Sequence, residues 1–375
     1  MDKIRCCVPC LFGLESLVAQ ELKSIGAQEI ESENGRVFFS GTKETLVDAN
    51  LWLRTGQRVE IVLGQFPAKS FEELFEGVRK LPWEEWIEED GRFPVKGHAL
   101  NSKLHSVPDC QKIVKKAIVR RLEGHYKRSI FPENGALFSV RFSIFKDQAV
   151  LMLDTSGNAL HKRGYRPAAQ PAPLRETLAA AMVMLARPYP DTVLYDPFCG
   201  SGTLLIEGAM LARNMAPGIG RGFSAENWQS LPRALWQERR KAAKALAKRD
   251  IPFRGFGFDI DPKMAAMALD NAKRAGVADC LAFQTRDVKE FTLDTPRGMV
   301  VTNPPYGERL LDVEQARALY KVMGKVFLKQ AGWRYFVISP EKEFEKIFGR
   351  PADKRRKVYN GTLECNIYQY FKSKE

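Results

Sequence analysis

The sequence predicts an α/β fold whose C-terminal half is built on a mostly parallel sheet, and three observations support this prediction. Patterns typical of strands and helices alternate from about residue 174 to the end of the chain. A glycine-rich segment follows the first predicted strand of that half and opens a helix. Acidic residues end three successive predicted strands there, as they do in sheets that bind a nucleoside-containing cofactor.

Composition places the chain among globular proteins. Its 375 residues are 45% hydrophobic and 27% charged, and this length predicts two or three domains at about 150 residues each. The longest unbroken apolar run, residues 178–186, has nine residues, whereas a membrane-spanning helix needs about 20. The first residues contain no apolar signal segment. We therefore expect neither a membrane protein nor a secreted one.

Cysteine usage indicates a reducing compartment, so we expect a cytoplasmic protein. The seven cysteines are scattered and odd in number, unlike a disulfide framework. Cys7 and Cys10 have the C-x-x-C spacing of a redox pair or half a zinc site, but no second pair or nearby histidine completes a zinc tetrad. We predict buried thiols at a strand end and no metal site.

The net charge of +13 is unevenly distributed along the chain. Residues 1–91 carry a net charge of −7, residues 92–128 carry +8, and residues 156–375 carry +13. Basic regions beside an acidic segment favour an oriented surface that binds a polyanion, although a generally basic, solvated surface would have the same composition.

Strand and helix patterns also organise the N-terminal half. Strands are predicted at 3–9, 36–40 and 58–63 and helices at 14–25 and 43–52, a βαβαβ-like unit. A second unit follows, with helices at 71–80 and 108–126 and strands at 92–96, 137–145 and 148–153. Helix 108–126 has one apolar and one cationic face, and its cations, which include Lys112, Lys115, Lys116 and Arg120, are candidates for binding a polyanion. The Gly/Pro/Ala-rich segment 156–173 predicts the main domain boundary.

The glycine-rich segment, residues 196–203, reads DPFCGSGT between a strand at 192–196 and a helix at 204–213. A nucleotide-triphosphate loop requires lysine where Thr203 stands, and a dinucleotide loop requires a third glycine where Leu205 stands. A carboxylate leading two glycines suits S-adenosylmethionine, because its ammonium group needs an acidic partner. The cofactor-binding candidates here are Asp196, Phe198, Gly200 and Gly202.

Two further strands end in carboxylates. Asp259 ends the strand 254–259, where it is placed to accept hydrogen bonds from ribose hydroxyls, and a helix follows at 262–275. Asp287 ends the strand 281–287, where it is placed to accept from an adenine amine. A single aspartate at a strand end more often caps a helix. Three in succession favour the cofactor site.

The motif NPPY, residues 303–306, follows a predicted strand at 298–302 and points to the chemistry. The two prolines fix the backbone and remove N–H donors, so carbonyls are left free. The amide oxygen of Asn303 and the carbonyl of Pro304 are both able to accept from an exocyclic NH₂, and Tyr306 offers a ring face to a base turned out of its stack. This arrangement suits methyl transfer to a planar amine without a strong general base.

Together with residues 356–365 (RKVYNGTLEC), these motifs resemble the THUMP-domain class I RNA methyltransferases, within which the sequence is most similar to the bacterial large-subunit rRNA guanine-N2 enzymes, also described as adenine-specific DNA methylases. The resemblance implies a ferredoxin-like module at 1–65, a THUMP RNA-binding domain at 66–155, a connector at 156–173 and a Rossmann-like catalytic domain at 174–375. The connector motifs at 161–166 (HKRGYR) and 172–178 (APLRETL) belong to the same resemblance. The RNA-binding residues expected from it are Lys112, Lys115, Lys116, Arg120, Arg163 and Arg166.

Gly202 and Asp259 are 57 residues apart, whereas dinucleotide-binding folds separate the equivalent positions by about 20. The excess falls at residues 213–254, which contain Trp228, Trp236 and several Arg and Lys residues. Such an insertion is able either to grip and stack RNA or to form a helix with buried tryptophans.

The resulting prediction is a methyltransferase that uses S-adenosylmethionine on the N2 amine of a guanine in 23S rRNA, free or in a large-subunit assembly intermediate. Three alternatives remain at this stage: an adenine-N6 methyltransferase of DNA or RNA, a protein-glutamine methyltransferase, and a non-catalytic RNA-binding assembly factor. The sequence leaves the methylated nucleotide and the oligomeric state open.

Overall fold

The computed structural model describes residues 3–166, 174–292, 295–306, 312–329 and 332–371. Its chain forms two compact units that are not contiguous in sequence. Unit 1 comprises residues 1–10, 18–160 and 221–242, and unit 2 comprises residues 11–17, 161–220 and 243–375. The chain therefore passes into unit 2 at residues 160–161, inside the predicted connector. Two segments lie in a different unit from the one that the predicted domain order implies: residues 11–17 lie in unit 2, and residues 221–242 lie in unit 1.

Unit 1 contains a seven-stranded sheet in the order β2-β3-β1-β4-β7-β6-β5. Its strands are β1 (Ile4–Pro9), β2 (Gln28–Glu33), β3 (Arg36–Gly41), β4 (Glu60–Pro67), β5 (Val95–Leu100), β6 (Ser139–Phe145) and β7 (Gln148–Asp154). The helices are α1 (Glu15–Ser24), α2 (Lys43–Trp52), α3 (Phe71–Arg79) and α4 (Val107–Tyr126). Alternate residues of the strands and the apolar faces of the helices form one core, which includes Val8, Val37, Ile61 and Leu151.

The first part of unit 1 has the order β1-α1-β2-β3-α2-β4, so the prediction of a βαβαβ unit missed one strand. The missing strand, β2, has the sequence QEIESE and lies at the edge of the sheet with nearly all of its residues exposed. A charged edge strand has no apolar alternation, because neither of its faces packs into a core. Because β2 and β3 follow one another without a helix between them, this part of the chain has the βαββαβ topology of a ferredoxin-like fold.

Helix α4 is amphipathic, as predicted. Val114, Ala117, Ile118 and Leu122 are buried in the core of unit 1. The helix begins at Val107 and ends at Tyr126, and the next residue, Lys127, adopts the left-handed conformation that commonly terminates helices. Its 20 residues therefore present the opposite, cationic face along a length of about 30 Å.

The insertion at 221–242 packs within unit 1 and does not expose its tryptophans. Trp228 and Trp236 are each 1% exposed, and the ring of Trp228 stacks on Phe138 with a centroid separation of 4.7 Å. The indole N–H of Trp228 donates to the carbonyl of Leu137 at 2.9 Å. Arg239 of helix α7 (Arg233–Ala245) pairs with Asp48. Buried tryptophan rings do not stack RNA bases. The observed structure of this segment is therefore the second of the two interpretations, a helix with buried tryptophans.

Unit 2 contains a second seven-stranded sheet, in the order β10-β9-β8-β11-β12-β14-β13. Its strands are β8 (Val193–Asp196), β9 (Arg254–Asp259), β10 (Leu281–Thr285), β11 (Gly298–Thr302), β12 (Trp333–Ser339), β13 (Lys354–Asn360) and β14 (Leu363–Tyr370). The helices are α5 (Glu176–Ala186), α6 (Thr203–Ala212), α8 (Pro262–Ala275), α9 (Val313–Phe327) and α10 (Phe344–Phe348).

Strands β8 to β12 are mutually parallel where they pair, and β14 runs antiparallel to both β12 and β13. The sheet thus confirms the predicted, mostly parallel α/β architecture with a Rossmann-like order. An antiparallel hairpin, β13–β14, closes one edge. Aliphatic residues fill one face of the sheet and a cluster rich in aromatic rings fills the other.

Residues 11–17 lie in unit 2, and Leu14 and Leu17 enter its aliphatic core. Among the described residues of either unit, no helix is both long enough and apolar enough to cross a membrane.

Candidate active site

The candidate site lies where the strand order of unit 2 reverses. Strand β8 lies between β9 and β11. From β8 the chain adds β9 and β10 on one side of this strand, and it then crosses over to add β11 and β12 on the other side. In open α/β sheets, ligands bind at the carboxyl ends of the strands beside such a reversal. The residues found there are Asp196 at the end of β8, Asp259 at the end of β9, and Asn303 directly after β11.

The glycine loop between β8 and α6 needs glycine at two positions. Gly200 and Gly202 have φ values of +49° and +79°, a region that residues with a Cβ rarely adopt. A Cβ on Gly202 would lie 3.0 Å from Ala268, so this residue packs against α8. A Cβ on Gly200 would meet no atom within 4 Å among the described residues. The backbone at Gly200 therefore faces open space, and the first N–H groups of α6 follow it.

Asp259 links this loop to β9. Its Oδ2 accepts from the backbone N–H of Gly200 at 2.9 Å, and its Oδ1 accepts from the N–H of Asp261 at 3.0 Å. The side chain is half-buried, and each oxygen has a further lone pair for a ligand hydroxyl. The next residue, Ile260, is 72% exposed. An apolar side chain beside a strand-end carboxylate suits a ligand that has a hydroxylated sugar joined to a flat base.

Asp196 is buried, with 1% of its surface exposed. Its Oδ1 accepts from the hydroxyl of Thr302 at 2.7 Å and from the backbone N–H of Phe198 at 3.2 Å. Burial raises the pKa of Asp196 to about 7, and the hydrogen bonds from Thr302 and Phe198 oppose that rise. A cation bound beside this carboxyl would favour its ionised form.

Asp287 has the role that strand-end aspartates most often have. Its Oδ1 accepts from the backbone N–H of Lys289 at 2.9 Å, so it caps the short turn at Val288–Glu290. It follows β10, which pairs with β9. The cap uses Oδ1, so Oδ2 is the oxygen that would accept from an adenine amine.

The NPPY loop follows β11. Pro304 is buried, and the amide oxygen of Asn303 is buried without a hydrogen-bond partner in the described part of the chain. A buried, unpaired acceptor costs about 1–3 kcal/mol, so such groups normally occur where a ligand supplies the donor. Tyr306 is half-buried, and its hydroxyl accepts a hydrogen bond of 2.6 Å from the side-chain amide of Asn360.

Two site residues were not predicted from the sequence. Thr302 bonds Asp196 and so joins the carboxyl ends of β11 and β8, and Asn360 at the end of β13 holds Tyr306. Asn360 lies within the RKVYNGTLEC motif, which was the available signal. The motif alone does not indicate a role for Asn360, because its contact with the NPPY loop forms only in the folded chain.

Arg163 and Arg166 do not present cations to RNA, so the prediction for these two residues is wrong. The Arg163 side chain is 2% exposed and pairs with Glu207 at 3.4 Å. Arg166 donates to Glu176 at 2.8 Å and to the hydroxyl of Thr203, the first residue of α6, at 3.2 Å. Both arginines therefore take part in a buried polar network beneath the glycine loop.

Lys115 also differs from the prediction. Its ammonium bonds Glu133 at 2.6 Å and lies 3.3 Å from the centroid of the Phe93 ring. Burial lowers the pKa of Lys115, and Glu133 opposes this shift. This lysine is held within unit 1 by its own carboxylate and is a poor candidate for phosphate binding.

The other three predicted cations of α4 are exposed. The side chains of Lys112 and Arg120 are 80% and 65% exposed, and their ion pairs in the described ranges are with Asp109 and Glu123, three residues away on the chain. Lys116 is also exposed. A shallow groove of 520 Å³ runs beside this face and is lined by Pro94, Val95, Gln111, Lys112, Lys115 and Lys116. Lys112, Lys116 and Arg120 therefore remain the candidates for polyanion binding on unit 1.

The cysteines show neither disulfides nor a metal cluster in the described ranges. All seven, Cys7 and Cys10 included, are buried and outside any disulfide, and no group of three or more His, Cys, Asp or Glu side chains is arranged to hold a metal ion there. Burial raises the pKa of the Cys7 thiol well above its ordinary value, which makes that thiol unreactive.

Comparison with protein families matches residues 163–369 to the RMKL-like methyltransferase domain, residues 5–60 to the RlmL ferredoxin-like domain and residues 68–154 to the THUMP domain. The chain belongs to the RMKL-like methyltransferase family. The family resemblance seen in the sequence is thereby confirmed.

Two curated relatives and one solved structure illustrate the membership. The chain is 43% identical to the Bacillus subtilis (strain 168) protein named "Putative RNA methyltransferase YpsC", over 96% of this chain and 94% of that protein. It is 35% identical to the ribosomal RNA large subunit methyltransferase K/L of Psychromonas ingrahamii over 97% of this chain, but it spans only 49% of that longer relative. The solved structure described as "Crystal structure of SMU.472, a putative methyltransferase complexed with SAH" has a TM-score of 0.94 and 41% identity, with complete coverage of both chains.

Proposed function

We propose that this protein transfers the methyl group of S-adenosylmethionine to the N2 amine of a guanine in 23S rRNA. Family membership makes it an S-adenosylmethionine-dependent methyltransferase of RNA. The guanine, its N2 amine and the 23S molecule are the proposed part. The observation that carries the choice of an exocyclic amine is the buried amide oxygen of Asn303, which has no hydrogen-bond partner among the described residues and lies beside the strand ends of the candidate site.

The described residues fit the cofactor. Asp196 and the Gly200–Gly202 loop are suited to the methionine part, because they combine a buried carboxyl with backbone that faces open space. Asp259 is suited to the ribose hydroxyls and Ile260 to the face of the adenine, while the second oxygen of Asp287 is suited to the adenine amine. When bound, the cofactor supplies an electrophilic methyl group.

The NPPY loop would hold the target amine. The lone pair of an amine on a purine is delocalised into the ring, so the nitrogen is a weak nucleophile. Two acceptors, the Asn303 amide oxygen and the Pro304 carbonyl, would bind its two N–H groups and orient the lone pair toward the methyl group. The nitrogen becomes positively charged as it is methylated and is then a strong acid, so it loses its proton without a dedicated base.

Tyr306 would stack on the target base, and Asn360 fixes that ring through its hydroxyl. The THUMP domain and the exposed cations Lys112, Lys116 and Arg120 would add sequence-independent affinity for RNA backbone. Sequence-independent binding of the RNA backbone by these cations and the chemical step are thereby assigned to different units of the chain.

The test is a methylation assay with purified protein and labelled cofactor on three substrates: rRNA from cells that lack the gene, rRNA from cells that contain it, and duplex DNA. We expect label only in the first substrate, recovered after digestion as N2-methylguanosine. Label in N6-methyladenosine, or in DNA, would reject the proposed amine or the proposed substrate.

A further inference from the structure

Residues 11–17 are held against the hairpin β13–β14 by a close backbone approach. Gly13 has φ +85°, and a Cβ at this position would lie 2.4 Å from the carbonyl oxygen of Lys357. The Arg356 guanidinium donates to the carbonyl of Gly13 at 2.9 Å and to the hydroxyl of Ser16 at 3.3 Å. With Leu14 buried in the core of unit 2, the position of this segment on the hairpin is fixed.

This anchoring leaves Phe12 on the surface. Phe12 is 54% exposed, although it lies between residues that are tightly packed. Its ring meets the ring of Tyr359 edge-on, with centroids 6.4 Å apart and an angle of 66°. The hydroxyl of Tyr359 is held by Glu364 at 3.2 Å, which fixes the second ring as well. The rings of Phe12 and Tyr359 thus have fixed orientations at the surface, and packing of the core does not require an aromatic ring at either position.

The strand that carries Tyr359 is basic. Residues 354–357 read KRRK on β13, an edge strand of the sheet. Arg355 pairs with Glu345, and Lys357 pairs with Glu364 at 2.6 Å, whereas Arg356 bonds a carbonyl and a hydroxyl. The four cations of this run therefore outnumber the two carboxylates that pair with them in the described ranges. The Lys357 ammonium lies 5.7 Å from the centroid of the Tyr359 ring. Aromatic rings beside surplus cations are typical of sites for single-stranded nucleic acid.

The same strand leads to the NPPY loop. Asn360 follows Tyr359 directly, and its amide holds the Tyr306 hydroxyl at 2.6 Å. A strand of RNA whose target base is turned toward Tyr306 must continue past the residues next to that loop. Tyr359 is the residue before Asn360, so the end of β13, where Tyr359 and Phe12 lie, is within reach of a neighbouring nucleotide.

We propose that Phe12 and Tyr359 form a stacking site for the nucleotide that flanks the methylated base. The proposal rests on RNA being the substrate, as stated in the proposed function. A protein partner fits this surface less well, because a stable protein interface needs about 800 Å² on each side, whereas two rings bordered by cations match a single nucleotide.

The test compares three variants with the unaltered protein: Phe12→Ala, Phe12→Trp and the control Phe371→Ala. Phe371 is also exposed, at 43%, and follows the last residue of β14, roughly 25 Å along that strand from the β13–β14 turn. Two readouts use large-subunit rRNA from cells that lack the gene: the RNA concentration that gives half-maximal single-turnover methylation, and the affinity in filter binding. Cofactor affinity is measured separately by calorimetry.

We expect Phe12→Ala to raise the half-saturating RNA concentration about fivefold or more, while the rate at saturating RNA and the cofactor affinity stay within about twofold. Phe12→Trp, which keeps a stacking ring, should restore RNA affinity, and Phe371→Ala should have no effect. Equal RNA affinity for Phe12→Ala and Phe371→Ala would overturn the proposal, as would a loss of cofactor affinity. Filter binding does not depend on which base is methylated, so failure of the guanine assignment would be recognised separately in the nucleoside products.

Discussion

The hydrogen bond between Asn360 and Tyr306 provides a quantitative test of the site. The donor and acceptor are 2.6 Å apart, and both side chains are half-buried. A neutral hydrogen bond of this kind contributes about 0.5–1.5 kcal/mol net. If its role is to fix the tyrosine ring on the target base, Asn360→Ala should slow single-turnover methylation about 2- to 12-fold at saturating cofactor and RNA.

Coupling between the two residues distinguishes this role from a general loss of stability. Tyr306→Phe keeps the ring but removes the acceptor, so the double variant should be no slower than the slower single variant. Asn360→Asp should be faster than Asn360→Ala, because a carboxylate accepts from the tyrosine hydroxyl and rebuilds the bond with its direction reversed. Thr362→Ala, an exposed change in the same hairpin turn, is the control. Additive effects, or a wild-type rate for Asn360→Ala, would refute the reasoning.

Three further predictions concern the cofactor, the target amine and the RNA. Asn303→Ala should reduce the single-turnover rate by roughly 10²–10³ at unchanged cofactor affinity, and Asn303→Asp should retain more activity; an unchanged rate in the alanine variant would remove Asn303 from the chemical step. Cofactor affinity, followed by calorimetry, should fall as the pH is lowered through about 7, because the bound ammonium requires ionised Asp196, whose pKa is raised to about 7 by burial. The Asp196→Asn variant should lose this pH dependence. If the variant keeps it, the titrating group is not Asp196. Replacing Lys112 and Lys116 with Gln should reduce the log–log salt slope of RNA binding by up to about 1.4–1.8, whereas an unchanged slope would mean that neither lysine meets a phosphate.

The sequence predicted the elements that carry strong local signals. Strand β9, helix α8 and strand β11 have the predicted bounds, because glycine, capping aspartate and apolar residues mark their ends. Strand β2 was missed, since a charged edge strand has no periodic apolar face.

The parts of the site that depend on distant residues were not predictable. Asn360 and Tyr306 are 54 positions apart, and Arg356 and Gly13 are 343 positions apart. Arg163 and Arg166 were expected at an RNA surface because they are basic. Their buried partners, Glu207 and Glu176, become their neighbours only in the folded chain. Sequence identifies the residue types suited to the chemistry, whereas tertiary structure decides which of them are free to bind a substrate.

The central claim is that this protein methylates the N2 amine of a guanine in 23S rRNA. The most direct measurement is a mass-spectrometric comparison of the modified nucleosides of purified 23S rRNA from wild-type cells, cells that lack the gene, and deletion cells that carry either the intact gene or its Asn303→Ala variant. We predict that the deletion strain lacks one N2-methylguanosine per 23S molecule, that the intact gene restores it, and that the variant does not. An unchanged N2-methylguanosine content in the deletion strain, or the loss of N6-methyladenosine instead, would contradict the claim.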